Sequence, residues 1–574
     1  MQKKVYEYIS KQTGDPIVEW KTCKVSGSEF PIYQSDMEFY DKISPTFNGV
    51  KYQIPAPTLC PEERQKRRLS FRNERKLYKR TCDATGKQII SIYSPDKPYK
   101  VYDQKIWRSD QWDPMEYGQE YDFEKTFFEQ FDSLNKIFPN GSMINIHSEN
   151  SEYCNRIVSC KNSYLLFCSD FSEDCYYSYR LSSCVNVVDC NYTYHSRLSY
   201  GCLDCENVDN CINLTKCKDC HDCIQCDNCV WCTFCIWCTN LVNKNYCISN
   251  KQFSKEEYEI EKNKFLSQNS IVWYIKNKDN VYPSMDITSS ENCIGNEITN
   301  GKNLVNCYSI THGENCKNIY SSYEAFDSQD CCYAWGLPQG INRCYELTWW
   351  QDYTNCLFSN SWVGLNNVIY STDCYNSSNL FGCIGLRNKE YCILNKQYTK
   401  EQYEAMIWKI IKKMQTNGER GEFFPASISP FGYNETVAQE YFPSTKEDVI
   451  GKWYKRSDYE MASPQVDGIV CSKDLPANIS QVDDTILTKA IACEVTGKPF
   501  RIMKSELEFY RRMNISIPHK HPDQRHTERM AMKPPKELFL RTCDSCWIDV
   551  LSVYDVWYDG NVYCQNCYTK EIYN

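Results

Sequence analysis

No run of 18 or more apolar residues occurs anywhere in the 574-residue chain, so no membrane-spanning helix is expected. The opening MQKKVYEYISKQTGDPIVEW has no apolar signal-peptide core, and a reducing, cytoplasmic setting is the expectation. Catalytic patterns are equally scarce. There is no phosphate-binding loop, dinucleotide fingerprint, nucleophile elbow or HExxH, and only seven histidines are present. A non-enzymatic protein is therefore expected, and no small-molecule substrate is identifiable. Positive charge is not in excess either. The 65 basic and 74 acidic side chains leave −9, which excludes a chain coated in basic residues for wrapping nucleic acid. With 42% hydrophobic residues, wholesale disorder is excluded as well.

What the chain has in quantity is cysteine. Of 37 cysteines, 18 fall between Cys154 and Cys247, ten between Cys293 and Cys392, and nine in the two ends together. In a reducing compartment these read first as metal ligands or small buried side chains, and only second as disulfides.

Three repeats organise the chain. Cys23-Lys-Val-Ser-Gly, followed by Phe30, Ile32 and Phe39-Tyr40, returns as Cys493-Glu-Val-Thr-Gly with Phe500, Ile502 and Phe509-Tyr510. After a length difference, Cys60-Pro61, Arg64 and Arg68 meet His521-Pro522, Arg525 and Arg529, and LYKRTCD (77–83) meets LFLRTCD (538–544). The two ends are copies of one module. Within the centre, NKNYCISNKQFSKEEYE (243–259) returns as NKEYCILNKQYTKEQYE (388–404), and each copy opens a helix through a capping box, Ser254/Glu257 or Thr399/Gln402. The third repeat is a lattice. All fifteen cysteines from Cys175 to Cys247 are spaced in multiples of three, and Cys344, Cys356, Cys374, Cys383 and Cys392 share a second such lattice.

A flat strand has period two and a helix 3.6, so neither keeps a period of three in register. A coiled solenoid of short strands and corners does. Cysteine suits its narrow interior, and Asp189, Asn210, Asp219, Asp222 and Asn228 suit left-handed corners. Two other readings of the C-x2-C run at 217–238 stay open, a thiolate or iron–sulfur metal cluster and disulfides.

The strongest chemical signal is Cys543-Asp-Ser-Cys546 with Cys564-Gln-Asn-Cys567. Two CxxC pairs at this separation match a zinc site, and four cysteine ligands leave no open position, so the metal is expected to be structural. The segment between the pairs, with Asp559-Gly560, predicts a β-hairpin, and YTKEIYN a closing helix, which is treble-clef order. In the N-terminal copy Cys82 stands alone, opposite Thr85, Asp103 and Ile106, so that copy is expected to be metal-free. A second candidate set is Cys493 with His519, His521 and His526, set against hydrogen-bonded or surface histidines.

The segment RQKRRLSFRNERKLYKR (64–80) holds nine basic residues against Glu74, and Arg64, Arg67, Arg68, Arg72 and Arg75 are candidate phosphate contacts. The recurrence of Arg64 and Arg68 as Arg525 and Arg529 points also to a structural use, with Asp36, Glu38 or Asp83 as internal partners.

The words CPEERQKRR, SFRNERKLYKRTCD, WRSDQWD, YCILNKQYTKEQY, GEFFPASISPFGYNET and CDSCW…YCQNCY together resemble a family of zinc-ribbon or treble-clef proteins from large DNA viruses and uncultured bacteria. The resemblance spans nearly the whole chain and implies zinc at the ends and a repetitive centre. A composition rich in Asn, Lys, Tyr and Ile is in keeping with a viral source, and with it a virion or viral-factory role.

The expected architecture is mainly β, a cysteine-rich parallel β-solenoid in two tandem halves flanked by two homologous α+β treble-clef-like modules. Its parts are a metal-free module over 1–120, a docking helix in 121–149 with Phe123, Phe127, Phe131 and Leu134 on one face, and half A over 150–285. Half B over 286–420, a connector over 421–488 and the zinc-binding module over 489–574 follow. Function is expected to be that of a zinc-stabilised scaffold binding protein partners, with nucleic-acid binding through 64–80 and the zinc module as the alternative.

Overall fold

The structure is a computed structural model that describes all residues except 48, 269–279, 312–319, 323–331, 335–340, 343–352, 355–364, 461–467 and 574. It is mainly β, with parallel β-solenoid coils and several helices. The chain forms two compact units. One comprises Met1–Ser142, Pro283–Asp458 and Pro535–Tyr558, and the other Met143–Tyr282, Tyr459–Pro534 and Asp559–Asn574.

In the second unit, coils run from Asn145–Ile146 to Asn245–Ile248. Successive strands pair in parallel at an offset of twelve residues, as in Asn155↔Phe167, Tyr179↔Asn191 and Arg197↔Asp209. Backbone φ is positive at almost every third residue, and Asp189, Asn210, Asp219, Asp222 and Asn228 all take this left-handed form. One coil is therefore four triplets, each made of an inward residue, an outward residue and a left-handed corner. A non-glycine corner costs roughly 1–2 kcal/mol. Coil-to-coil bonds offset that cost: the Asp222 amide donates to the Asp209 carbonyl at 3.0 Å, and Asn210 Nδ2 donates to Asp222 Oδ1 at 2.5 Å.

The triplet explains the cysteines. Amides of outward and corner residues meet carbonyls of neighbouring coils, whereas many inward amides meet a side chain one coil back. The Cys175 and Cys190 amides donate to Ser163 Oγ (3.3 Å) and Ser178 Oγ (3.0 Å), and those of Leu166 and Cys202 to Cys154 Sγ (3.4 Å) and Cys190 Sγ (3.2 Å). The same thiols also donate, as Cys154 Sγ does toward the Glu152 and Ser163 carbonyls, both at 3.4 Å. The inward position thus favours a small side chain that both gives and accepts, which Ser and Cys satisfy, and cysteine adds apolar character. Burial holds the Cys175 and Cys190 thiols well above the usual thiol value, in the protonated form this bonding needs.

Outward positions form columns at intervals of twelve. The column Tyr164, Tyr176, Val188, Tyr200, Ile212 and Ile224 is apolar and packs against Ile479, Val482, Leu507 and Tyr510 of the same unit. Its continuation, Ile236 and Ile248, is covered by Tyr258 of the helix Lys255–Gln268.

In the first unit, described coils run from Ile287–Thr288 to Glu390–Ile393 around an interior of Leu304, Cys307, Val368, Cys374, Cys383 and Cys392. One coil is a residue short, where pairing moves from Ile294↔Val305 to Gly295↔Cys307. Cys344 and Cys356 lie outside the described residues. The docking helix is real but begins at Phe127, not before, because Thr126 and Glu129 close a capping box there. Phe127, Phe131 and Leu134 pack with Phe381, Ile384 and the helix Lys400–Asn417, and Phe123 joins them from outside the helix. Gly385 permits this approach, since its φ is +67° and a Cβ there would stand 2.4 Å from the Phe138 ring.

Each coil stretch ends alike. Cys247↔Gln252 and Cys392↔Gln397 close antiparallel turns, and the Ser254/Glu257 and Thr399/Gln402 boxes then start helices.

Candidate metal centre

The hairpin strands Phe539–Thr542 and Asp549–Ser552 carry Cys543 at the head of a tight turn. The Cys543 N–H donates to the Ile548 carbonyl (2.8 Å), and the Trp547 N–H donates to the Cys543 carbonyl (2.9 Å), with Trp547 left-handed at φ +62°. Arg541 braces the turn from below through Asp544 (2.8 Å) and the Asp555 carbonyl (3.0 Å). Cys564 directly precedes the helix Gln565–Tyr573, whose first turn carries Cys567, and the Cys567 N–H donates to Cys564 Sγ at 3.4 Å. The sequence predicted a hairpin between the two cysteine pairs. Instead Asp549–Ser552 folds back onto the strand before the first pair, because the tight turn is the CxxC itself.

The four Sγ atoms of Cys543, Cys546, Cys564 and Cys567 all lie within 4.8 Å of one another. Sulfurs tetrahedral about an ion at the zinc–thiolate distance stand about 3.8 Å apart, so the set fits a metal. Among the described residues this is the one group of three or more Cys, His, Asp or Glu with that convergence.

The other candidate set is not gathered. His526 is buried, its Nδ1 3.3 Å from Asn191 Nδ2 and its ring edge-on to Tyr179. His521 Nδ1 accepts the Asp523 amide at 3.1 Å as a helix cap, and His519 stands 3.7 Å from Glu494. Cys493 keeps its turn, donating its N–H to the Lys498 carbonyl at 3.0 Å.

The arginines of 64–80 are placed inside the molecule. Arg64, Arg67, Arg68 and Arg72 are 6, 6, 0 and 1% exposed, so they form no open phosphate-binding surface. Arg67 pairs with Glu422 (2.8 Å), Arg72 with Glu74, and Arg75 with Glu440 (3.8 Å), while Asp83, one of the carboxylates expected to serve this run, stands 3.6 Å from Arg80. Asp36 accepts the Tyr33 amide at 2.9 Å as a helix cap. In the second unit the equivalent Arg525 and Arg529 converge on fully buried Asp189, with Arg529 Nη1 at 3.1 Å.

One feature escaped sequence reasoning. The turns at Cys23, Cys82, Cys493 and Cys543 share one backbone form, with the N–H of the residue four further on returned to the cysteine carbonyl at 2.9 Å in each. In each case a later residue also caps a helix start, namely Cys60, Asp103, His521 or Cys564. Each terminal copy is thus itself a doubled element. Its signal was the recurrence of Cys-x-x-Ser/Thr-Gly at Cys23, Cys82 and Cys493.

No protein-family model, curated protein or solved structure matches this chain.

Proposed function

We propose that the protein is a non-enzymatic scaffold in which zinc at Cys543, Cys546, Cys564 and Cys567 holds a treble-clef-like element, and tandem solenoid halves carry the terminal modules. The observation that carries this reading is the ligand set itself, four thiols within 4.8 Å of one another, as many as a tetrahedral zinc takes. Such a set stabilises a fold and offers no site for substrate. The exposed Trp547, at 75%, beside Ile548 in the hairpin turn, and Trp557, at 87%, beyond the second strand, support a protein partner as the ligand of the scaffold. A particle component, as the resemblance implies, is consistent with both.

Native mass spectrometry with an anaerobic thiol count tests it. The expected result is one zinc per chain, with 37 − 4 = 33 thiols free of metal. Several metals per chain, or iron, would overturn it by turning the 217–238 run into a cluster. The nucleic-acid alternative used the 64–80 run together with the zinc module, and the burial of Arg64, Arg67, Arg68 and Arg72 weighs against the first of these.

A further inference from the structure

The first unit contains a cavity of about 700 Å³, within the range of small-molecule sites. Five chain segments build it, one of them the stretch of Pro55, Ala56 and Leu59. Lys24 comes from the Cys23 turn and Arg67 from the helix Pro61–Leu69; Arg420 and Glu422 follow the helix Lys400–Asn417, and Lys452 and Trp453 follow Lys446–Gly451. Four cations and one carboxylate line a cavity in a chain whose net charge is −9, so the lining runs against the composition. The carboxylate is already engaged, since Glu422 accepts Arg67 at 2.8 Å and the Thr58 amide at 2.6 Å.

The remaining cations face the space. Lys24 is exposed, and Lys452 reaches Glu63 at only 3.4 Å. Arg420 donates Nη2 to the Tyr52 carbonyl, while its Nη1 is buried with no hydrogen-bond partner.

Trp453 adds an aromatic wall. It is 82% exposed and left-handed at φ +68°, strained for a bulky residue and not repaid by burial. The next residue, Tyr454, is buried with Leu69, Tyr433 and Val449, which fixes the backbone that holds the indole out.

We propose that this cavity binds a free nucleotide, with the base stacked on Trp453 and the phosphates held by Lys24, Arg420 and Lys452. A stacking platform beside convergent cations recognises the two halves of such a ligand. A strand of nucleic acid is disfavoured because the arginines that would track its backbone beyond the cavity are buried.

Isothermal titration of the full chain with ADP, GDP, CDP and UDP tests the site. At least one is expected to bind one per chain, with its nucleoside and inorganic pyrophosphate each at least about tenfold weaker. Trp453→Ala is expected to weaken binding at least about tenfold and Lys24→Ala severalfold, both with an unchanged thermal melt, because both side chains are exposed. Failure of all four to bind, or binding unchanged in Trp453→Ala, would overturn the site. A single-stranded RNA oligomer that binds more tightly than every nucleotide would overturn it in favour of a strand. None of these outcomes bears on the metal count, so the two readings fail separately.

Discussion

The hairpins at Cys82 and Cys543 have the same register, Tyr78↔Ser91 to Thr81↔Gln88 and Phe539↔Ser552 to Thr542↔Asp549. An arginine braces both, Arg80 through the Ser94 carbonyl (3.1 Å) and Arg541 through that of Asp555 (3.0 Å). What surrounds them differs. Around the Cys82 hairpin, Tyr93, Tyr99, Val101 and Phe431 form a buried cluster, and Cys82 Sγ accepts the Asp103 amide at 3.2 Å where its counterpart has thiol neighbours. Beyond the Cys543 turn, Trp547, Ile548 and Trp557 are exposed. The turn itself therefore needs no metal. Both hairpins rest on an apolar cluster, that of Cys543 through Leu538, Leu551 and Val553, and both tips are exposed, so what separates them is the three further thiols gathered around Cys543.

The sharpest way to break this comparison is to remove one thiol from each. Cys564→Ser is expected to abolish metal binding and cost more than about 5 kcal/mol locally, read as lost hydrogen-exchange protection over 539–573. Cys82→Ser should cost only about 1 kcal/mol and leave the metal count unchanged. Equal effects would mean that the two hairpins are held alike.

A smaller effect separates buried from surface arginines of the C-terminal copy. Arg529→Leu leaves Asp189 buried beside Arg525 alone, and is expected to lower stability by about 3–5 kcal/mol in chemical denaturation. Arg512→Ala, which removes an exposed contact to Asn186, should change it by less than about 0.5 kcal/mol.

The third test compares helix caps. Asp36 and Glu506 occupy equivalent capping-box positions, but Glu506 is fully buried and takes hydroxyl bonds from Tyr510 (2.6 Å) and Tyr177 (2.8 Å). Burial pushes its carboxyl up from 4.5 to about 7 despite those bonds. The folded state then binds the proton more tightly than the unfolded one, so its stability should fall as pH rises from about 4.5 to about 7, by about 3 kcal/mol. Glu506→Gln is expected to remove that slope in denaturation curves taken across the window. A slope that survives the substitution would place its origin elsewhere.

Much of the architecture was legible because its causes are local. A period of three in Cys175–Cys247 excludes strand and helix alike, the corner Asn and Asp residues take left-handed backbone, and both capping boxes form where hydroxyl and carboxyl or amide stand three apart. The four clustered thiols were legible for the same reason, since each CxxC turn brings two sulfurs together by itself. The start of the docking helix was misjudged because the apolar spacing from Phe123 continues through a cap that only Thr126 and Glu129 define. The basic run was misleading because charge says nothing about burial until the opposing carboxylates, Glu422 and Glu440, arrive from more than 300 residues away.

From the sequence alone came the triplet, the doubled ends, the repeated closing segment with its helix, and the four cysteines of the candidate metal site. Each depends on residues within one turn of the chain or on a direct match between two stretches. Only the tertiary structure decided that four triplets make a coil, which outward column is buried, and that Lys24, Arg67, Arg420 and Lys452 share one cavity. Those outcomes depend on where distant segments pack, and no local spacing encodes that distance.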